Sequence, residues 1–334
     1  MVTISQVAEH AGVSPATVSR VLNGDERVGD EYKQRVHDAV AALGYRPNRL
    51  ARSLRTQRRS AIGVVVSDIE NPHFSEMVRA VEDLAYGAGH HLLVCNTDES
   101  AEKQRTYLEM LADEHVLGVI LSPSHPAGEE IGLLIDRGIP VVAFDREVSD
   151  QRADVVIADN VKGARTATEL LLRAGHTDVV YVGGRSDVET GAERLDGYAL
   201  TMRRAGLVPR VAEADFRIEG ARAAMTELLA APQRPTALVV ANNLMTVGVL
   251  AAMREHGLRA PDDLALVGID DPFWAPYLDP PLTVVAQPVR KMAADAMELL
   301  HDRVSGRRTE PRRIVHPFEL RRRVSCGTAD PTTQ

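Results

Sequence analysis

The chain has 334 residues, of which 44% are hydrophobic and 26% charged, and it carries a net charge of −8 at pH 7. This is the composition of an ordinary globular protein with room for about two or three domains. The two cysteines, Cys95 and Cys326, exclude a disulfide framework and fit a reducing compartment. The chain starts without the pattern of a signal peptide and has no apolar run long enough to span a membrane, so we expect a cytoplasmic protein.

The first predicted elements are two short helices within residues 3–23, TISQVAEHAGVSPATVSRVLN. Apolar residues recur at helical spacing in both halves of this stretch. Thr3 and Gln6 have the spacing of a capping box, and Ser14 followed by Pro15 is typical of a helix start. Between the helices there is room only for a turn, in which Gly12 is free to adopt a positive φ. The stretch therefore predicts a helix-turn-helix.

The second helix carries the side chains that we predict to contact DNA. With its apolar residues turned inward, its outer surface faces the base edges of a major groove. Arg20 is the predicted base reader, because its planar guanidinium can pair with both acceptors of a guanine. The alternative is a small helical domain in which Arg20 is only solvated. The full predicted set in this domain is Thr3, Ser14, Pro15, Ala16, Thr17, Ser19, Arg20 and Asn23.

A third helix is predicted from Gly29 or Asp30 to Leu43, with Gly44 as its C-terminal stop. It completes a three-helix domain over residues 1–46. Residues 1–59 contain ten Lys or Arg and six Asp or Glu residues, a net charge of +4; because the whole chain carries −8, the rest carries −12. A basic segment fused to an acidic body indicates a DNA-binding module joined to a domain that avoids DNA.

Residues 47–59 are predicted to form a hinge helix and linker. The helix, of about eight residues with Asn48 as its cap, is too short to be stable alone in water. One alternative is a flexible basic linker. The other is a pair of such helices in a dimer, which inserts Leu54 as a wedge into a minor-groove step. The predicted DNA contacts of this segment are Asn48, Arg49, Ala51 and Leu54.

Three separated motifs resemble the lactose-repressor (LacI/GalR) family of bacterial transcription regulators: VAEHAGVSPATVSRVLNG, LGYRPNRLARSLRT and GIDDPFWAPYLDPPLTVVAQP. The resemblance covers nearly the whole chain, and the three motifs occur in the family's order and spacing. The resemblance implies a repressor of double-stranded operator DNA, with a hinge helix that orders on operator binding and Leu54 as its wedge. It also implies a core like that of periplasmic binding proteins.

From Ser60 onward, short apolar runs alternate with helical stretches, which predicts βαβ units and parallel sheets. We expect an effector-binding and dimerisation domain over 60–334, with two parallel α/β sheets in two lobes. Lobe one is expected at about 60–160 and 289–317, and lobe two at about 161–288 and 318–334. The predicted strands are 62–66, 92–95, 119–121, 141–144, 155–157, 179–182, 211–216, 237–240, 264–267 and 284–285. The clearest predicted helices are 74–88, 102–112, 161–173, 194–205, 245–256 and 289–304.

Polar side chains collect just past the carboxyl ends of these strands, where such sheets bind ligands. Carboxylates, amides, arginines and a few aromatic rings suit a small polyhydroxylated molecule. The ring of Phe273 or Trp274 would form one wall of the effector site. Gln287 lies where the chain crosses between the lobes, close to the cleft. Asn243 and Val188 depart from the family's usual pattern, which leaves the effector's identity open. The family's effector positions fall, by resemblance, on His73, Phe74, Asp145, Thr190, Arg194, Asn242 and Asp270.

Each of these residues has a structural alternative. Asp145, Asp159 and Asp270 could be helix caps or loop residues, and Arg194 could join the lobes through a carboxylate. Phe74 and Trp274 could belong to the core, and His73 could be merely solvated.

The function that we expect is a cytoplasmic, homodimeric repressor, controlled by a sugar-like inducer. The same architecture with a nucleobase or another metabolite as co-repressor is the alternative. A cytosolic solute-binding protein or an enzyme is a remote one. Phosphate-binding and nucleophile motifs are absent where an enzyme would need them, and a solute-binding protein would leave the basic N-terminal segment unexplained. We expect no metal, since the histidines show no metal-ligand spacing, and we also expect no cofactor and no membrane partner. A tetramer is possible, although residues 326–334 contain no leucine heptad.

Overall fold

The computed structural model describes residues 2–22, 25, 27–45, 61–125, 128–184 and 188–327. The predicted hinge helix, with Asn48, Arg49, Ala51 and Leu54, lies outside these residues, and so does Asn23. The chain divides into two compact units, residues 1–59 and 60–334.

The N-terminal unit contains the predicted helix-turn-helix and third helix. Its elements are α1 (Ile4–Ala11), α2 (Pro15–Leu22) and α3 (Asp30–Leu43). The capping box is confirmed: the Gln6 N–H donates to Thr3 Oγ1 at 3.3 Å, and the Thr3 N–H donates to Gln6 Oε1 at 2.9 Å. In the turn, Gly12 adopts a φ of 64°, and Arg35 Nη2 donates to the Gly12 carbonyl at 3.2 Å. The fully buried side chains at the centre of the three helices are Val7, Val18 and Val36.

The second unit is an alternation of strands and helices. It begins with β1 (Ala61–Val66), α4 (Pro72–Gly87), β2 (His91–Asn96), α5 (Ala101–Asp113), β3 (Val119–Leu121), α6 (Glu129–Asp136), β4 (Val141–Phe144) and β5 (Asp154–Ala158). It continues with α7 (Asn160–Arg173), β6 (Val179–Gly183), α8 (Glu189–Arg204), β7 (Arg210–Glu213), α9 (Ile218–Ala230), β8 (Ala237–Val240), α10 (Asn243–Glu255), β9 (Ala265–Ile269) and β10 (Thr283–Ala286). It ends with α11 (Val289–Val304), β11 (Arg313–His316) and β12 (Glu319–Arg321).

These strands form two six-stranded sheets, which confirms the predicted two-lobed α/β core. The strand order is β11-β5-β4-β3-β1-β2 in lobe one and β12-β10-β9-β8-β6-β7 in lobe two. The central strands read as continuous apolar runs because helices cover both faces of each sheet. Helix α7 packs against β8, β9 and β10, and α11 packs against α4, β4 and β5. The chain therefore crosses between lobes after β5, after β10 and between β11 and β12.

Several sequence expectations for this core were wrong in detail. The second sheet is not parallel throughout, because β12 pairs with β10 in the antiparallel direction. Neither β11 nor β12 was predicted; their sequences, RIVH and ELR, are short and contain charged residues, so they show no apolar run. The predicted strand 211–216 corresponds to Arg210–Glu213, and helix α8 begins five residues before the predicted 194, at Glu189.

In the described part of the chain, no helix is both long and apolar enough to cross a membrane.

Candidate DNA-binding surface and effector cleft

The N-terminal unit exposes most of the side chains predicted to contact DNA. Pro15, Ala16 and Arg20 are exposed on α2, as helical spacing predicts. Ser14 is also exposed and caps α2: its Oγ accepts a hydrogen bond from the Thr17 N–H at 3.1 Å and lies 2.9 Å from Thr17 Oγ1. Two of the side chains predicted to contact DNA therefore hydrogen-bond to each other at the N-terminus of α2, where the helix N–H groups also favour an anion.

The prediction that Ser19 lies on the outer surface was wrong. Its side chain is only 7% exposed, because position 19 lies directly after the fully buried Val18 at the edge of the packed face of α2. The exposed surface of α2 is correspondingly narrower, with Arg20 as its long side chain.

In the second unit, eight of the ten predicted effector residues line one small chamber between the lobes, of about 40 Å³. Lobe one contributes the start of α4 and the end of β4, and lobe two contributes α8 and the ends of β8, β9 and β10. The predicted residues in this lining are His73, Phe74, Asp145, Thr190, Arg194, Asn242, Asp270 and Gln287.

A chain of polar contacts crosses the chamber from one lobe to the other. His73 Nε2 lies 3.4 Å from Asp145 Oδ1, which is an ion-pair distance but too long for a good hydrogen bond. His73 Nδ1 lies 3.4 Å from Gln287 Nε2, and Gln287 Nε2 donates to Asp270 Oδ1 at 2.9 Å. Each of these four side chains is at least nine-tenths buried, so the contacts form in a site of low dielectric.

The burial and charges of this chamber shift the pKa values of several of its side chains. Burial of His73 opposes its charged form, but Asp145 and Asp270 outweigh burial and raise the pKa of His73. Burial of Asp145 is outweighed by His73 and two arginines, which lower the pKa of Asp145. Burial raises the pKa of Asp68, which lines the same chamber, above its ordinary value.

The two arginines of the chamber are held differently. Arg146 donates through both of its terminal nitrogens to the Glu99 carboxylate, at 2.7 and 2.8 Å. Arg194 donates instead to two neutral oxygens of lobe two, Asn160 Oδ1 at 2.8 Å and the Ala241 carbonyl at 2.7 Å. The alternative that Arg194 joins the lobes through a carboxylate does not match these contacts. Among the described residues Arg194 has no direct acidic partner, and it lines the chamber.

Phe273 and Trp274, which were predicted as aromatic walls of the effector site, do not line the small chamber. Trp274 packs against the core of lobe two and is not among the residues that line the chamber, so its structural alternative holds. Phe273 is 80% exposed and lines a neighbouring chamber. Phe74 lines the small chamber and also belongs to the core of lobe one. Asp159 caps α7 by accepting from the Lys162 N–H, which is the structural role considered for it.

The sequence reasoning missed Phe216 and Glu99 as chamber residues. Phe216 follows β7 with a φ of 67°. Asp145 and Asp270, at the ends of β4 and β9, have φ of 70° and 74°, and Glu99 has 57°. Non-glycine residues in the left-handed region are uncommon and collect at functional sites. A left-handed backbone conformation leaves no pattern in the sequence. Only the position of Phe216 at the end of a strand could have indicated that it lines the chamber.

A second, larger chamber of about 640 Å³ adjoins the first. The two share His73, Asp270 and Gln287, so these three side chains separate them. The large chamber adds residues from the start of α4, from the loop after β9 and from the start of α11. Among these are Glu70, Glu76, Asn243, Asp271, Phe273, Arg290 and Arg321.

No group of three His, Cys, Asp or Glu side chains in the described ranges is placed to hold a metal ion.

The chain matches known proteins over nearly its whole length. Residues 3–48 match the model for bacterial regulatory proteins of the lacI family, and residues 168–326 match a periplasmic binding protein-like domain. The HTH-type transcriptional repressor PurR of Edwardsiella ictaluri (strain 93-146) is 36% identical over 329 residues, which cover 97% of this chain and 96% of that protein.

Two solved structures share the architecture. The transcriptional regulator CelR in complex with cellobiose is 33% identical with a TM-score of 0.72, covering 97% of this chain and 100% of that one. A lac repressor dimer bound to operator and the anti-inducer ONPF is 28% identical with a TM-score of 0.83, covering 97% and 99%.

A helix-turn-helix followed by a two-lobed core with a polar interlobe cleft defines the class of effector-controlled DNA-binding regulators. This chain belongs to the lacI family of bacterial regulatory proteins. It is a DNA-binding transcriptional repressor whose core binds a small effector.

Proposed function

We propose that this repressor binds an inverted-repeat operator as a dimer and that a sugar bound between the lobes releases it from DNA. The observation that carries the proposal is the small chamber, to which both lobes contribute polar groups. Asp145 comes from lobe one, and Arg194, Asn242 and Asp270 come from lobe two. Carboxylate, amide and guanidinium groups brought together in this way are suitable partners for adjacent sugar hydroxyls.

Two of the similar structures support this proposal. The CelR complex contains cellobiose, and the lac repressor is a dimer on its operator. Dimer symmetry requires one recognition helix per half-site, and hence an operator with two-fold symmetry. On this proposal the protein acts in the cytoplasm, performs no catalysis and needs no cofactor.

Direct contacts between the lobes across the cleft indicate that the effector can act by changing how far the lobes close. Arg217 Nη2 of lobe two donates to Asp98 Oδ1 of lobe one at 2.8 Å, and the Glu147 N–H of lobe one donates to Glu189 Oε2 of lobe two at 2.9 Å. A ligand that must fit between the lobes favours one degree of closure, and three chain crossovers make closure a hinge movement. Such coupling is usually worth about 1 to 3 kcal/mol.

A nucleobase acting as co-repressor is the second candidate. The observation that favours it is the pair of phenyl rings, Phe74 and Phe216, that line the small chamber. Two aromatic rings around a narrow space suit a flat ligand as well as the apolar face of a sugar.

A thermal-shift screen of the full chain tests both candidates, with sugars, sugar alcohols, sugar phosphates and nucleobases as probes. We expect a sugar to raise the melting temperature and to weaken operator binding. A nucleobase that raises the melting temperature and tightens operator binding would contradict the sugar inducer and support the nucleobase co-repressor.

The Asp270→Ala variant locates the site. Because the buried Asp270 carboxylate accepts from Gln287 and faces both chambers, its loss should weaken effector binding about 10- to 100-fold and leave operator affinity unchanged. Asp262→Ala, at an exposed position before β9, is the matched control and should change neither property. Loss of operator binding with intact effector binding in Asp270→Ala would contradict this assignment.

A further inference from the structure

Another cavity of ligand size lies in lobe two, at the opposite end of the sheet from the effector chambers. Its volume is about 490 Å³, within the roughly 300 to 1,000 Å³ of small-molecule sites. The end of α10, the start of β9 and the loop before β10 line it, whereas Asp270 and Gln287 of the chambers follow the other ends of β9 and β10. This cavity shares no lining residue with either chamber, so a ligand here would be separate from the effector.

The walls of this cavity are mainly apolar. Six leucine or methionine side chains line it, of which three belong to the buried core of lobe two and three are half-buried and pack against that core. The buried three are Met253, Leu266 and Leu282, and the half-buried three are Leu250, Leu258 and Leu278. A ligand with an apolar body would remove the surface of the half-buried leucines from water, which favours binding.

The charged side chains of the lining are two arginines and one aspartate, a formal charge of +1. Arg254 lies in the last turn of α10 and Arg259 in the loop before β9, and both are exposed. Among the described residues neither guanidinium has an ion pair or a hydrogen-bond partner, and Asp279 is not paired with either of them. An unpaired guanidinium beside an apolar wall is free to bind the carboxylate of a ligand through two parallel hydrogen bonds.

We propose that this cavity binds a small amphipathic carboxylate. The apolar body of the ligand contacts the half-buried leucines, and its carboxylate accepts hydrogen bonds from Arg254 and Arg259. A dianionic phosphate is a poorer match, because the lining offers a charge of only +1 and Asp279 would repel the second negative charge. The inference goes beyond the proposed function and does not depend on which effector the cleft between the lobes takes.

Isothermal titration calorimetry on the full chain tests this site with two matched pairs of probes: octanoate against octanamide, and phenylacetate against phenylacetamide. Each amide has the shape of its acid without the charge. We expect at least one of the acids to bind, and to bind at least about tenfold more tightly than its amide.

Variants of the charged residues test which groups hold the carboxylate. Arg254→Gln and Arg259→Gln should each remove most of the preference for the acid and leave the affinity for the amide unchanged. Asp279→Asn should have the opposite effect and raise the affinity for the acid by up to about fivefold, because it removes a repelling charge at an exposed position. Arg204→Gln is the matched control, since Arg204 is exposed at the end of α8 and does not line the cavity.

Two further variants locate the apolar body of the ligand and separate this site from the cleft. Leu278→Ala should weaken binding of acid and amide alike, because it removes apolar contact from the wall. Asp270→Ala should bind the acid as wild type does. An acid bound in the cleft would instead gain affinity when the Asp270 carboxylate is removed.

Several outcomes would overturn the proposal. They are the binding of neither acid, equal affinities for acid and amide, an Arg254→Gln variant that keeps the full preference, and tighter binding of the acid to Asp270→Ala. Sedimentation equilibrium covers the case in which a second copy of the chain occupies this surface. If Leu278→Ala turned a dimer into a monomer while wild type bound none of the probes, the leucines would belong to an interface between copies. Because Arg254 and Arg259 are exposed, their variants stay informative even if Leu278→Ala folds poorly.

Discussion

Arg20 is the residue on which sequence recognition is predicted to depend. It is exposed on α2, and the burial of its neighbour Ser19 leaves it as the long polar side chain of that surface. Arg20→Ala should therefore lose preference at one base pair of each half-site, by roughly 1 to 3 kcal/mol, while effector affinity stays unchanged. Competition binding with operators substituted one base pair at a time measures this. Lys33→Ala, which removes a partly exposed lysine of α3, is the control; equal losses in the two variants would mean that Arg20 contributes only charge.

The buried pair His73 and Asp145 should make the stability of the core depend on pH. Against the cost of burial, Asp145 and Asp270 hold the pKa of His73 above its ordinary 6.5, and His73 with two arginines holds the pKa of Asp145 below its ordinary 3.8. The raised histidine pKa stabilises the fold fully below 6.5, and this contribution is lost as pH rises through the folded-state value. The lowered aspartate pKa stabilises the fold above 3.8, and this contribution is lost as pH falls through the folded-state value.

The pair should thus stabilise the core most between about pH 4 and pH 6.5. Melting temperatures of wild type and Asp145→Asn, measured from pH 4 to pH 9, should differ most near about pH 5 to 6, and the part of the difference that comes from charged His73 should disappear as pH rises to about 9. Asp262→Asn, at an exposed position, should show no such pH-dependent difference. A difference between wild type and Asp145→Asn that stays constant across this range would show that the two side chains are not coupled by charge.

At the scale of the elements, the contact between α7 and α8 positions much of lobe two's share of the site. Helix α8 carries Thr190 and Arg194, and Asn160 at the start of α7 accepts from Arg194. The helices approach so closely that a Cβ at Gly197 would collide with the Val161 carbonyl oxygen. Gly197→Ala should therefore force the helices apart, destabilise the core by about 1 to 3 kcal/mol and weaken effector binding.

Gly87→Ala is the matched control for this contact. Gly87 ends α4, is exposed and has no atom near enough to meet a new Cβ. Because alanine favours the helix, this variant should be neutral or stabilise the core by up to about 1 kcal/mol. Urea unfolding followed by fluorescence measures both variants. Equal midpoints for Gly197→Ala and wild type would show that the helices have room to separate.

Elements whose sequence has a strong local pattern could be predicted. The capping box at Thr3, the end of α3 before Gly44 and the apolar central strands follow from capping, glycine geometry and periodicity. The strand-end rule also brought the chamber residues together, since the carboxyl ends of parallel strands meet at one edge of a sheet. The sequence did not reveal that Trp274 would pack on the core while Phe216 turns into the cleft, because that depends on tertiary packing and on a backbone in the left-handed region. The division into two chambers depends on side-chain contacts such as that of Gln287 with Asp270, which no spacing encodes.

At the scale of the whole molecule, effector and operator binding must influence each other equally. If the effector weakens operator binding by some factor, operator must weaken effector binding by the same factor, about 5- to 150-fold for typical coupling. Calorimetric titration of the effector into the free repressor and into its operator complex measures one side, and operator titration at saturating effector measures the other. The prediction concerns equal factors, whichever ligand proves to be the effector and whichever direction the effect takes.

The contact between Arg217 and Asp98 should change the affinity for the effector but should not be the cause of the coupling between effector and operator binding. It joins the lobes at 2.8 Å, but both side chains are nearly half exposed, so it should contribute only about 0.2 to 1 kcal/mol to closure. Arg217→Ala should thus change the affinity for the effector by no more than about fivefold while the two coupling factors remain equal to each other. Arg222→Ala removes a similarly exposed ion pair that lies within lobe two and should leave effector affinity unchanged. Unequal factors in the wild-type protein would mean that effector and operator do not act on one shared equilibrium, and closure of the lobes could then not be the link between the two sites.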